Sequence, residues 1–342
     1  MVSLTVMGRL GTLRSQVVLS QVTLLQGRWF SSLPSSGGTV NIFDRNAKRI
    51  QRNRAASLPD PGLYDYLKDA VAAIVVDRAC DVARQFPSAL DVGCGRGHIA
   101  RHMDSDIIKT LVQCDYSDGP LSQSSAPPDV PTYRVVADEE FLPFKDNQFE
   151  LVTSSCSLHW VNDLPRAFTE IQRVLKPDGC LIGAMFSGDT LFELRCSLQI
   201  AQEENEGGLS PHVSPFVELS DIGGVLTRSG FVMTTLDVDE IVVNYPGINE
   251  LMHDLKGMGE NNAVKHRPNY IRRTTLKRAA EIYKKDYGNE DGSVPATFQL
   301  LYFIGWKPDP SQVGPANRGS ATVSMKELSN VMLDSNSDKK GK

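Results

Sequence analysis

At 342 residues the chain is long enough for one large α/β domain with insertions or for two modest domains. With 36 basic against 41 acidic side chains and a net charge of −5, it is not a general polyanion binder, and no nucleic acid partner is expected. Its six cysteines form no C-x-x-C pair, which points to reduced, buried thiols in a protein that is not secreted, and no apolar run reaches the length of a membrane span.

Residues 1–43 contain no Asp or Glu, carry Arg9, Arg14 and Arg28, and are rich in Ser, Thr, Leu and Val. This composition predicts a mitochondrial transit peptide over residues 1–40, with Arg28-Trp29-Phe30-Ser31-Ser32 similar to a matrix-processing site. From Asn41 to Arg54 the charge turns basic, with Arg45, Lys48, Arg49, Arg52 and Arg54 spread along a predicted helix opened by Asp44. Residues 41–85 are expected to form an N-terminal helical segment. Three readings of its basic face stay open: a solvated surface, a lid shared with Tyr64-Asp65-Tyr66-Leu67, or attraction to an anionic membrane.

Residues 86–186 alternate helical segments with short apolar strands near 88–92, 110–114, 132–136, 149–155 and 180–186. That alternation predicts a parallel sheet covered by helices, with ligands at the carboxyl ends of the strands. The first strand runs straight into Gly93-Cys94-Gly95-Arg96-Gly97, where three glycines in five positions let the backbone approach a ligand. His98 to Met103 is expected to be a helix whose first N–H groups face the same ligand. Asp115 ends the second strand 22 residues beyond Gly93, close to the ~20-residue offset at which an acid meets ribose hydroxyls. Asp91 at the strand end would repel a pyrophosphate, so a nucleoside with a positive centre fits better.

His159 and Trp160 stand at the exit of the fourth strand, His159 being either a general base or substrate positioner, or a hydrogen-bonded structural histidine. Asp163 is the expected N-cap of the next helix, and Leu175-Lys176-Pro177-Asp178-Gly179 the expected turn before the fifth strand. Asp189 and Glu193 are four apart, so a helix would put both carboxylates on one face beside the ligand mouth, as a solvated face or as a clamp for a guanidinium. A polar, Gly/Pro-broken substrate loop is expected at 202–220, a helix at Ile222–Arg228 and a strand at Phe231–Val238. A helical insertion holding Leu255 to Asn262 follows, then a closing strand at Thr297–Trp306. The main domain is thus expected to span 86–310, with insertions at about 187–230 and 240–290 and a disordered tail at 311–342.

Asp91 to Gly97, with Asp115 and Ala137-Asp138-Glu139-Glu140-Phe141-Leu142-Pro143-Phe144, resembles the motifs of the class I S-adenosylmethionine (SAM) methyltransferase family. Phe149 to Trp160 resembles that family's fourth motif, with Glu150 where Asp is more usual. The resemblance implies an α/β fold: a doubly wound, mostly parallel, Rossmann-like seven-stranded sheet with N-terminal helices and a helical insertion. It also implies SAM as cofactor, held by Asp91, Gly93, Cys94, Gly95, Gly97, Asp115, Asp138 and Glu139. Further segments narrow the resemblance, among them Asn41-Ile42-Phe43-Asp44-Arg45, Ser157 to Arg166, Gly183-Ala184-Met185-Phe186 and Asp291 to Thr297. They are similar to a family of mitochondrial respiratory complex I assembly factors with an assigned arginine-hydroxylase activity. That family implies a substrate arginine in a complex I subunit near the quinone site, and peripheral contact with the matrix side of the mitochondrial inner membrane. His159, Asp189 and Glu193 are the candidate catalytic residues. No metal site is predicted, and His98 and His102 are expected to face solvent. The competing readings are SAM-dependent methylation of a carboxylate, amine or guanidinium, and a non-catalytic assembly chaperone.

Overall fold

The computed structural model describes residues 4–6, 41–312, 314, 319 and 320. It divides into two compact units, residues 1–308 and 309–342. In the second unit the Asp309 carboxylate accepts from the Ser311 N–H in a tight turn; most of the expected tail lies outside the described residues. The expected transit peptide also lies outside them, apart from the short strand β1 (Leu4–Val6).

The strands are β1, β2 (Ala89–Val92), β3 (Leu111–Asp115), β4 (Thr132–Val136), β5 (Phe149–Ser155), β6 (Leu175–Phe186), β7 (Val232–Tyr245) and β8 (Val294–Trp306). They form one sheet in the order β1-β7-β8-β6-β5-β2-β3-β4. Neighbours from β6 through β4 are parallel, while β8 runs antiparallel to both β6 and β7. The expected seven strands are therefore β2 to β8, and β1 adds three residues antiparallel to β7.

The helices are α1 (Arg45–Ala56), α2 (Tyr66–Asp81), α3 (Asp118–Ser122), α4 (Leu164–Val174), α5 (Phe192–Glu206), α6 (Leu219–Arg228), α7 (Ile248–Gly257) and α8 (Arg273–Tyr287). On one face of the sheet, Leu67, Val71 and Val75 of α2 join Leu194 and Leu198 of α5 and Tyr283 of α8 in one core. On the other face, Phe168 and Ile171 of α4 join Ile222 and Leu226 of α6 in a second. Burial on both faces explains why β2 reads as an uninterrupted buried run, not as an alternating one.

Local signals set several boundaries. Asp44 caps α1 by accepting from the Ala47 N–H at 2.9 Å, and Asp163 caps α4 by accepting from Arg166 N–H at 3.0 Å. The expected turn at 175–179 lies inside β6: Phe149 pairs with Leu175 but Leu151 with Cys180, so residues 176–179 bulge out of register. Glu150, the unusual acid of the fourth motif, sits at the start of β5, where it accepts from Ser88 and pairs with Lys176. Cys94, Cys114, Cys156 and Cys180 are buried free thiols as expected, but Cys80 is exposed and Cys196 half-buried.

Candidate active site

The site starts where β2 ends. Gly93 has φ +69°, and its N–H and that of Cys94 both donate to the Cys114 carbonyl, turning the chain back over β3. A Cβ at Gly93 would stand 2.2 Å from Ser157 Oγ, and one at Gly97 (φ +75°) 2.6 Å from the backbone of Ser125. Only glycine satisfies both the dihedral and the space there. Gly95 N–H donates to Asp115 Oδ2 at 2.9 Å and Ser117 N–H to Oδ1 at 2.7 Å, so the fully buried Asp115 points into the glycine loop. The helix expected over His98–Met103 is only a three-residue 3-10 turn, Ile99–Arg101. No helix dipole is therefore aimed at the mouth from this side, and the Gly93, Cys94, Gly95 and Gly97 amides are taken up by Cys114, Asp115 and Cys94.

Asp91 is also fully buried. Its Oδ1 accepts from Thr153 Oγ1 at 3.3 Å, while Oδ2 has no partner. Burial raises its carboxyl to about 7, with the nearby Asp115 adding to the rise. Cys94 contributes backbone only, because burial drives its thiol well above its ordinary value and makes it a poor nucleophile. Asp138 is partly exposed and Glu139 buried, and both pair with Arg45 of α1. Burial alone would raise Glu139, but Arg45 outweighs it and holds the carboxyl below its usual range.

Helix α1 lies over this mouth. Both terminal nitrogens of Arg52 are 3.3 Å from Ser157 Oγ, and one is 3.8 Å from Asp115. Arg52, Gly93, Gly95, His98, Asp115 and Cys156 line a residual cavity of about 50 Å³. That is room for about one or two waters.

His159 occupies the 3-10 turn Leu158–Trp160 after β5 and does not line that cavity. Its ring packs against Phe186, Phe216 and Trp160. Nε2 lies 3.5 Å from Glu260, whose carboxylate also takes the Trp160 Nε1–H at 2.7 Å and the Lys68 ammonium at 2.7 Å. Burial pushes His159 down to about 4 against the raising pull of Glu260, so the ring is neutral near pH 7. Its Nδ1 is buried without a partner.

The paired-carboxylate clamp does not form. Leu191, at φ +55°, ends the turn and α5 begins only at Phe192, which leaves Asp189 outside the helix, exposed, with Gln299 as its partner. Glu193 points inward, accepting from Thr297 N–H at 3.3 Å and Thr297 Oγ1–H at 2.5 Å. It therefore holds α5 to β8. Glu193→Ala is expected to destabilise the fold by about 1–3 kcal/mol, seen as a lower melting temperature. Asp189→Ala should leave the melting curve nearly unchanged.

His98 does not face solvent: it is buried, with Nδ1 2.7 Å from Asp69, and burial lowers its pKa. Asp65, Asp69 and His98 bring ligand atoms within 4.8 Å of one another, the arrangement a cation could use. Arg96 and Arg101, however, already pair with Asp65, and Arg101 also with Asp69. This cluster ties α2 to the glycine loop. His102, in the His-x-Asp triplet His102-Met103-Asp104, is exposed, and the Asp104 carboxylate is taken by the Asp106 and Ile107 N–H groups.

Asp65 lies in the segment 64–67 of the lid reading and Ser157 in the fourth-motif stretch, but their partners, and those of Glu260, could not be read from the sequence because they lie far along the chain. A glycine loop against two buried acids, one of them with an unpartnered oxygen, fits the SAM nucleoside and its cationic amino-acid end. It defines an enzyme of the SAM-dependent methyltransferase fold. The methyltransferase domain family matches residues 90–183. The chain is 55% identical over 305 residues to the mitochondrial arginine-hydroxylase NDUFAF5 of Mus musculus, covering 88% of this chain and 89% of that one. It is 56% identical to the Homo sapiens protein of the same name, over 87% and 86% of the two chains. It is also 32% identical to a malonyl-acyl-carrier-protein O-methyltransferase of Methylovorus, over 78% and 90%. The chain belongs to the mitochondrial arginine-hydroxylase NDUFAF5 family. Among the described residues, no helix is long and apolar enough to cross a membrane.

Proposed function

We propose that the chain hydroxylates an arginine of a respiratory complex I subunit near the quinone site. In this reading it works as an assembly factor held peripherally at the matrix side of the mitochondrial inner membrane. The observation that carries the reading is the 55% identity, over most of both chains, to an arginine-hydroxylase.

Bound SAM supplies a sulfonium-activated methyl group in methyltransferases. Within this chain, Asp115 lines the cavity and Asp91 and Glu139 are buried beside the glycine loop, acids that a cationic ligand could meet in place of Arg45 and Arg52. The glycine loop lets the backbone close on it. His159, neutral and with a bare Nδ1, can accept a hydrogen bond or a proton once a substrate reaches it.

Conversion of an arginine C–H to C–OH is a two-electron oxidation, with dioxygen as oxidant, an external electron donor as reductant and the second oxygen leaving as water. Mass spectrometry of the complex I subunit after incubation with the full chain, dioxygen and an electron donor tests the reading: one added oxygen on an arginine is expected. An added methylene would instead favour methyl transfer, the activity named in the Methylovorus relative. His159→Ala is expected to slow the modification about 10²–10⁴-fold with SAM affinity retained. An unchanged rate would assign His159 a purely structural role.

A further inference from the structure

The acids assigned to the cofactor already hold cations from the chain itself. Arg45 pairs with Glu139 and, at 3.1 Å, with Asp138. Arg52 approaches Asp115 at 3.8 Å and donates to Ser157 Oγ, which in turn bonds Glu139 at 3.4 Å. The Asp115 and Glu139 side chains are 0% and 1% exposed. Stripping a buried carboxylate of its cation is strongly unfavourable unless another group meets it.

Helix α1 does not move alone. Lys48 Nζ donates to the carbonyls of Gly259 at 3.0 Å and Asn261 at 2.6 Å, and Gln51 donates to Asn262 at 3.1 Å. Asp44 N–H donates to Ala263 O at 2.7 Å and Lys265 N–H to Ile42 O at 2.9 Å. Phe43, Ala263 and Val264 share a small apolar cluster with Trp160. Residues 42–56 and 259–265 are thus stapled into one body by backbone and buried lysine contacts. That body meets the acids of the mouth through the two guanidiniums, and meets His159, Trp160 and Lys68 through Glu260. It is also tied to Asn162 through the Phe43 backbone and to Asp118 of α3 through Arg49 and Asn53, contacts that its movement must break.

We propose that Arg45 and Arg52 are intramolecular occupants of the cofactor carboxylates. SAM enters by displacing them, and α1 lifts together with residues 259–265 as a single lid. The inference rests on the reading of this mouth as the SAM site. It adds an order to the events: cofactor entry frees the lid, and lid movement withdraws Glu260 from His159.

Calorimetric titration of the full chain with SAM tests this. Apparent affinity behind such a gate falls in proportion to the binding-competent fraction, so Arg45→Gln and Arg52→Gln are expected to tighten SAM binding, by about tenfold for a competent fraction of about one-tenth, and Arg52→Lys to stay near wild type. Weaker or unchanged binding in both glutamine variants overturns the proposal. Should those variants fail to fold, hydrogen exchange on the wild-type chain decides. Faster exchange in 45–56 and 259–265 with saturating SAM supports the lid; slower or unchanged exchange overturns it. Arginine hydroxylation that persists while the affinities stay unchanged removes the gate alone. Absence of SAM binding in every variant removes the gate and the cofactor assignment together.

Discussion

Gly93→Val is expected to abolish SAM binding while leaving a folded protein. Two costs arise at this position. A non-glycine residue at φ +69° is strained by about 1–2 kcal/mol. Its Cβ would also lie 2.2 Å from Ser157 Oγ and 2.3 Å from Ser157 Cβ, so Ser157 must be driven out of contact with Arg52 and Glu139. Gly207, the C-cap of α5, separates the two costs: its φ is +68° but nothing lies within 4 Å of its Cβ position. Gly207→Val should lose the same strain energy and keep SAM affinity. Calorimetry and melting curves on both variants make the comparison, and a folded Gly93→Val protein that binds SAM like wild type would refute this account of the loop. If that variant lacked SAM yet still supported complex I assembly, the non-catalytic chaperone would become the better reading.

Asp91 makes the second large effect, through pH. Its carboxyl titrates near 7 when buried in the folded chain and near ~4 when exposed in the unfolded one. For an acid whose folded value is raised, the protonated form is the stabilised one. The contribution is therefore complete below about pH 4, is lost progressively as the pH rises, and is gone above 7. Three units of separation correspond to roughly 4 kcal/mol at the upper limit. Asp91→Asn should remove that slope, so the variant gains on wild type in melting temperature between pH 5 and pH 8. SAM affinity should move oppositely. A cationic ligand prefers the ionised carboxylate, so wild-type affinity should climb by up to about tenfold per unit as pH rises toward 7, and then level. The asparagine variant should bind more weakly with a flat profile. A flat wild-type profile from pH 5.5 to 8 would detach Asp91 from the ligand.

Several parts of the molecule can be read from neighbouring residues alone. The strands at 132–136 and 149–155 match β4 and β5 to the residue, and Asp44 and Asp163 announce their helices, because caps and apolar runs act within a few positions. The glycine loop and Asp115 are legible for the same reason: the sharp turn demands glycine, and a strand end fixes where the acid points. The clamp of Asp189 and Glu193 misleads because i, i+4 spacing places two side chains on one face only if the helix already includes both. Leu191 in the left-handed region starts that helix later.

The sequence by itself determined a doubly wound sheet, a glycine loop at the end of its first strand and the acids beside it, since each depends on short-range backbone geometry and on which faces are apolar. Only the tertiary structure decided what those acids hold. Arg45 meets Asp138 across 93 residues, Arg52 meets Ser157 across 105, and Glu260 reaches Trp160 across 100. The arginine-held acids, the neutral His159 and the Arg96–Asp65 link exist because the chain path brings distant charges together in a buried, weakly screening interior, where each must find a partner.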